Sequence, residues 1–296
     1  MRPLYNERQK LLQATIKQFA QNELLPKAQF VDENEQFPRE QIVGLANIGI
    51  TGLTLDEKYG GNGGEYKDMM VVLEEVAAAC GSTSTVLLTH VSLGSQTINQ
   101  FGSKAQKQHW IPSLSSAKNI SAFALTEPNT GSDALELQTS ITEDNGNYIL
   151  NGTKLFCTNG AEADIFVIFA NHDKSLGHRG ISTVVVERNT NGFAISPQRG
   201  KMGMRGCATA ELIFEDCVIP KANLLGNLGD GYLIALKILD SSRIMIAAQC
   251  LGMARAALNT SVEYSKNRKA FGEPISNKQI IQFMLADMAT ELDAAR

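Results

Sequence analysis

Several signals that would narrow the function at once are missing from this chain of 296 residues. Its five cysteines, Cys80, Cys157, Cys207, Cys217 and Cys250, are odd in number, scattered and never in a C-x-x-C pair. The four histidines, His90, His109, His172 and His178, form no ligand pattern with them, so neither a structural metal nor a disulfide framework is expected. Lys and Arg number 27 against 31 Asp and Glu, a balance that gives no electrostatic case for nucleic acid or an anionic membrane as partner. No uninterrupted apolar run is long enough to cross a bilayer, and MRPLYNERQK lacks the apolar centre of a secretory signal, which leaves a cytoplasmic location as the default. The glycine run Tyr59-Gly60-Gly61-Asn62-Gly63-Gly64 lacks the G-x-G-x-x-G register and has no strand-to-helix unit around it. It reads as a flexible connection and not as a nucleotide fingerprint.

What is present is enough apolar residue, 43% of the chain, for a substantial core and more than one structural unit. Leu12, Ile16, Phe19 and Ala20 recur at helical spacing until Pro26, and Pro38 can open a second helix through Ile42, Leu45 and Ala46. Further helical patterns cover residues 70–79, 85–101 and 104–114, the last carrying Trp110 as a core residue. Short β-rich runs follow at 121–125, 148–150, 165–170, 181–186 and 210–214, with Asn145-Gly146 and Asn151-Gly152 as hairpin turns. From Tyr232 the helical pattern returns to about Tyr264, and a last helix begins at Ser276, where Ser-Asn-Lys-Gln has the form of a capping box. The expected fold is α+β: an N-terminal α-helical domain over 1–120, a middle antiparallel β-barrel or sandwich over 121–228, and the start of a C-terminal α-helical bundle over 229–296. The pattern stops at Arg296 without a glycine, proline or polar tail, and its two apolar stripes need partners. The expectation is a C-terminally truncated form of a longer protein, or a chain whose stripes another subunit covers.

The segment that organises the rest is SAFALTEPNTGSDA, a short strand broken by turn-forming residues. Thr126, Thr130 and Ser132 offer hydroxyls and Gly131 allows close backbone approach, which suits an anionic or heteroaromatic ligand. An ordinary hydroxyl-turned loop explains the same residues. Three further features stand beside it: KLFCTNG at 154–160, Asp240 with Arg243 one helical turn apart, and YSKNRKAFGEPI followed by Gln279. Each has a plain explanation alone: Phe156 as core, Asp240 and Arg243 as an i,i+3 pair, Arg268 as a solvated base, Gln279 as a capping partner.

In this order the features resemble the acyl-CoA dehydrogenase family over essentially the whole chain. ALTEPNTGSDA matches the family's first motif and YSKNRKAFGEPI with Gln279 its second. QFGSKAQKQHWIPSL, KMGMRGCATAELIFEDCVIP and FMLADMATELDAAR resemble the short-chain, or butyryl-CoA, branch. The resemblance implies FAD, with Phe123, Leu125, Thr126, Gly131 and Ser132 along the flavin, Phe156 on its ring face, and Cys157 and Thr158 toward N5. It places Arg268 on an FAD phosphate from a neighbouring subunit, and Phe271 and Gln279 beside the adenosine. Ser132, Asp240 and Arg243 would contact the acyl-CoA.

The implied reaction is α,β-dehydrogenation: a carboxylate removes the α-proton of a short-chain acyl-CoA and the β-hydrogen leaves as hydride, giving the trans-2-enoyl-CoA. Electrons would pass to an electron-transferring flavoprotein, and the enzyme would be a homotetramer, a dimer of dimers, with no nucleic acid and no membrane insertion. The chain departs from the family at the base. Most members place it on a late C-terminal helix, beyond Arg296 here; the isovaleryl and long-chain branches place it where this chain has Ser242, and serine cannot serve. Glu127 and Asp133 belong to the turn motif. No residue of this chain is therefore expected to be the base, and the chain alone is expected to be inactive or nearly so. The alternatives are an oxidase-like flavoenzyme of the same fold, and a truncated, non-catalytic association module that binds little or no FAD; weakened or absent FAD retention is expected of the chain alone.

Overall fold

The computed structural model describes residues 5–296; residues 1–4, part of the stretch read for a secretory signal, lie outside the described residues. Helix α1 (Glu7–Phe19) starts at Asn6, whose side chain accepts from the Gln9 amide while Gln9 returns a bond to the Asn6 N–H. A π-helical turn, Ala20–Leu24, leads straight into α2 (Leu25–Glu33). Pro26, expected to stop the first helix, does not: the helical run from Glu7 to Glu33 passes it through the π-helical turn just before it. Helices α3 (Arg39–Asn47), α4 (Tyr66–Ala79), α5 (Gly81–Leu88), α6 (Ser95–Phe101) and α7 (Lys104–Ser115) complete the first region. The glycine run is not a loose connection. The amides of Gly61, Gly63 and Gly64 donate to the Asp56, Leu55 and Leu53 carbonyls, and a Cβ on Gly61 would lie 2.2 Å from the Leu55 oxygen. These glycines let two backbones meet.

The middle region is one sheet of β1 (Ser121–Ala124), β2 (Ser140–Asp144), β3 (Asn147–Cys157), β4 (Ile165–Asn171), β5 (Ile181–Glu187), β6 (Phe193–Pro197), β7 (Ala210–Pro220) and β8 (Leu224–Leu225). Its order is β6-β7-β3-β2-β4-β5-β8, with β1 added on β4. Most pairs are antiparallel as expected, but β1 runs parallel to β4, as does the single β2–β4 pair. Asn145-Gly146 does make the β2–β3 turn, with φ of 46° and 82°. Asn151-Gly152 does not turn the chain. It lies within β3 at a register shift against β7, with Gly152 at φ 140° pressed on Thr139, since a glycine in a strand serves a bulge as readily as a turn.

The third region consists of α8 (Gly231–Asn267), a small hairpin of β9 (Lys269–Ala270) and β10 (Glu273–Pro274), and α9 (Gln279–Ala295). The capping box expected at Ser276 does not form. A 3-10 turn, Ile275–Asn277, places Ser276 ahead of the helix, Lys278 is the N-cap without a side-chain bond, and the Ser276 carbonyl accepts from Gln282. The architecture is thus helical, β and helical in sequence. Strand β4 is buried on both faces. Phe166, Ile168 and Ala170 join a core with Ile16, Leu45, Leu73 and Leu88 of the first helices, while Ile165, Val167 and Phe169 join Trp110, Leu225 and Ile234. Trp110 is core as expected, its Nε1 donating to Glu187 at 3.0 Å. Among the described residues no helix is long and apolar enough to cross a membrane.

Candidate active site

Beyond the end of β1, residues 125–126 run beside the last residues of β3. The Leu155 amide donates to the Thr126 carbonyl at 2.9 Å, and Lys154 Nζ donates to the Leu125 carbonyl at 3.1 Å. The same Nζ is 2.7 Å from Glu127 Oε1, in an ion pair whose side chains are 0% and 2% exposed. Glu127 also accepts from the backbone amides of Gln138 and Thr139, at 2.6 and 3.0 Å. Burial alone would raise the Glu127 carboxyl, but the Lys154 charge and the bonds it accepts hold it below the ordinary carboxylate range. Burial pushes Lys154 down to about 8, against the opposing pull of Glu127. Glu127 is thus committed to the loop.

Loop 127–139 is closed from inside. Glu127 and Thr130 exchange backbone bonds, and the Thr130 hydroxyl donates to the Glu136 carbonyl at 3.0 Å. The expected hydroxyl of Thr130 is therefore spent on the loop. Gly131 and Ser132 are exposed, and a Cβ on Gly131 would meet nothing within 4 Å. The protein's own packing does not require glycine there.

Phe156 overturns its plain reading as core: it is 65% exposed, at a left-handed φ of 54°. A β-bulge between Lys154 and Cys157 breaks the alternation of β3, so Phe156 turns out while Cys157 turns in. The Cys157 thiol is buried, lies 3.8 Å from the Phe123 carbonyl and is pushed up to about 12 by burial, so its side chain belongs to the core. Phe123 likewise gives its ring to the core, 4.7 Å from Phe169. Thr126 and Thr158 are half-buried, and neither hydroxyl has a hydrogen-bond partner among the described residues.

Two supporting residues escaped the sequence reading. Asn159, at φ 65° and wholly buried, donates to the Val86 and Ser121 carbonyls and pins the end of β3 to α5 and β1; its Oδ1 has no partner. His90, also buried, accepts the Ser121 N–H at Nδ1, leaving Nε2 to donate to the Leu114 carbonyl at 2.9 Å. A left-handed Asn after a strand was the available signal for the first. The second had none, because β1 reaches His90 only through the tertiary fold.

The remaining predicted residues form a second group. Arg268 caps α8, Phe271 stands 97% exposed at the tip of the β9–β10 hairpin with Lys278 Nζ 5.6 Å from its ring centre, and Gln279 opens α9. Asp240 and Arg243 are exposed on α8, with buried Ser242 between them donating to the Leu239 carbonyl.

Three family models match in order: acyl-CoA dehydrogenase N-terminal domain over residues 6–118, middle domain over 122–217 and C-terminal domain over 229–296. The chain belongs to the acyl-CoA dehydrogenase family. It is 42% identical to an acyl-CoA dehydrogenase of Bacillus subtilis over 98% of this chain and 76% of that one. It is 40% identical to the short-chain specific acyl-CoA dehydrogenase of Clostridium acetobutylicum, over 97% and 76%. Among solved structures, butyryl-CoA dehydrogenase from Megasphaera elsdenii superposes with a TM-score of 0.95 at 40% identity, covering 99% of this chain and 78% of that chain. A chain solved in work on the electron transferring flavoprotein of Acidaminococcus fermentans gives 0.96 at 41%, covering 99% and 77%. An acyl-CoA dehydrogenase complexed with FAD from Bacillus anthracis gives 0.93 at 32%, covering 100% and 50%. The stretch ALTEPNTGSDA runs from the end of β1 into the loop at 126–133, and YSKNRKAFGEPI runs from the end of α8 through the β9–β10 hairpin ahead of α9. Among the described residues no cluster of His, Cys, Asp or Glu could hold a metal ion.

Proposed function

We propose that this acyl-CoA dehydrogenase chain binds FAD on the rim formed by residues 125–132 and 156–158 and acts on short-chain acyl-CoA thioesters, with an electron-transferring flavoprotein as acceptor. The observation that carries the reading is Phe156: a large aromatic ring turned out by a left-handed bulge at a strand end that is bonded to the Thr126 carbonyl and runs on into Thr158, with neither threonine hydroxyl paired among the described residues. A flat heteroaromatic ring with polar edges fits that surface. FAD, when bound, supplies the two-electron acceptor for the substrate's β-hydrogen.

The chain's own residues do the rest. Phe156 offers a stacking face, the Thr126 and Thr158 hydroxyls offer donors to the ring edge, and Gly131 and Ser132 leave room for phosphate or thioester to approach. Arg268, Phe271 and Gln279 would serve a cofactor held mainly by a second copy, and Asp240 and Arg243 the pantetheine end of the substrate. Proton removal is assigned to none of residues 5–296: Glu127 is locked to Lys154, and Ser242 is a buried hydroxyl bonded to Leu239. Support for the short-chain substrate and the flavoprotein acceptor comes from the butyryl-CoA dehydrogenase and electron transferring flavoprotein likenesses.

The test is a flavin spectrum with added ligands. FAD is expected to bind, and butyryl-CoA to perturb the visible band more than longer thioesters do. The chemically reduced protein is expected to pass electrons to an electron-transferring flavoprotein faster than to oxygen. Absent FAD binding overturns the reading, rapid reoxidation by air replaces the acceptor with oxygen, and rapid bleaching by butyryl-CoA alone overturns the absence of a base.

A further inference from the structure

We propose that the buried Lys154–Glu127 pair is the positioning element of the cofactor rim, locking the strand that presents Phe156 and Thr158 to the loop that presents Thr126 and Ser132. The inference rests on the FAD reading above and deepens it. Neither residue faces the rim. Lys154 is fully buried, and its Nζ makes two bonds, to the Leu125 carbonyl and to Glu127. Through the first it holds the backbone next to Thr126. Through the second it holds a carboxylate that closes the loop at Gln138 and Thr139.

The place of Lys154 in its strand gives the pair its leverage. Its side chain is the last inward anchor before the bulge that turns Phe156 out, and the Leu155–Thr126 bond lies between anchor and ring. Releasing the anchor frees the residue whose left-handed backbone presents the aromatic face. A buried ion pair is seldom more stabilising than two well-packed apolar groups, because desolvation offsets the attraction. A fully buried lysine beneath a binding rim is therefore better accounted for by the geometry it enforces than by net stability. The outer face of the same loop, at Gly131 and Ser132, remains open. Rigidity is supplied from inside and access is kept outside.

The test compares the wild type with Lys154→Met, Glu127→Gln and the double variant, measuring Tm, FAD affinity by fluorescence quenching and the shape of the bound flavin's visible band. Each single variant is expected to lower Tm and FAD affinity together. The double variant, which has no buried charge, is expected to regain most of the Tm while binding FAD about tenfold or more weakly with a blurred band, since a misplaced binding group loses affinity that folding does not register. A double variant equal to wild type in both Tm and affinity overturns the proposal. If that variant does not fold, the isosteric Glu127→Gln decides: a loss of about tenfold or more supports the proposal, and unchanged affinity overturns it. A wild type that takes up no FAD removes the functional reading itself, a result distinguishable from either.

Discussion

The two groups of predicted binding residues are in opposite physical states. On the β side, Thr126, Phe156 and Thr158 stand on backbone held by the Lys154–Glu127 pair, by Asn159 and by His90, all buried. On the helical side, Arg268, Phe271 and Gln279 stand on a two-pair hairpin and the start of α9, whose one buried residue is Leu292. Ile280, Phe283 and Met284 of α9 are exposed, and an apolar groove of about 500 Å³ runs between α8 and α9 along Leu251, Ala254 and Met288. The first group is held by dry, paired residues of this chain, and the second stands on elements that are largely exposed. Binding geometry can be preset where the supporting groups are dry and paired, and not where they are wet.

Breaking the β side is expected to have the largest effect. Lys154→Met leaves Glu127 as an unpaired buried charge and should lower folding stability by about 3–5 kcal/mol. Phe271→Ala should stay within about 0.5 kcal/mol, because its ring is solvated. Denaturant unfolding of both variants measures the contrast, and equal losses would erase it.

Acid should act next, through His90. Burial lowers this imidazole from 6.5 to about 4. The unfolded chain therefore takes up the proton first as pH falls, so stability is lost between pH 6.5 and about 4 and not further below. The loss should approach roughly 3 kcal/mol, and His90→Gln should flatten that part of the stability–pH curve. Gly152→Ala sharpens the comparison within β3: a Cβ there would lie 2.7 Å from Thr139 Cα at φ 140°, for a loss of roughly 1–3 kcal/mol. An unchanged melting curve would mean that the bulge relaxes freely.

The helical regions and half of the strands were legible because apolar spacing survives in a single sequence, and Asn145-Gly146 announced its turn correctly. The motifs at 126–133, 154–160 and 264–279 were legible by resemblance. What supports them was not. A lysine in a strand reads as solvated until the fold shows that its side chain meets a glutamate 27 positions away. Phe156 reads as core because alternation predicts it inward, and only the left-handed bulge reverses that. Asn151-Gly152 misled because a glycine suits a bulge as readily as a turn, and Pro26 because a π-helical turn lets the helix run past a proline.

The most direct test of the β-side rim is an FAD titration of wild type, Phe156→Ala and Phe271→Ala by flavin fluorescence. Saturable binding is expected, weakened roughly two- to tenfold by loss of the Phe156 stacking face and less by loss of Phe271. Absence of binding by the wild type, or a larger loss at Phe271 than at Phe156, would contradict the account.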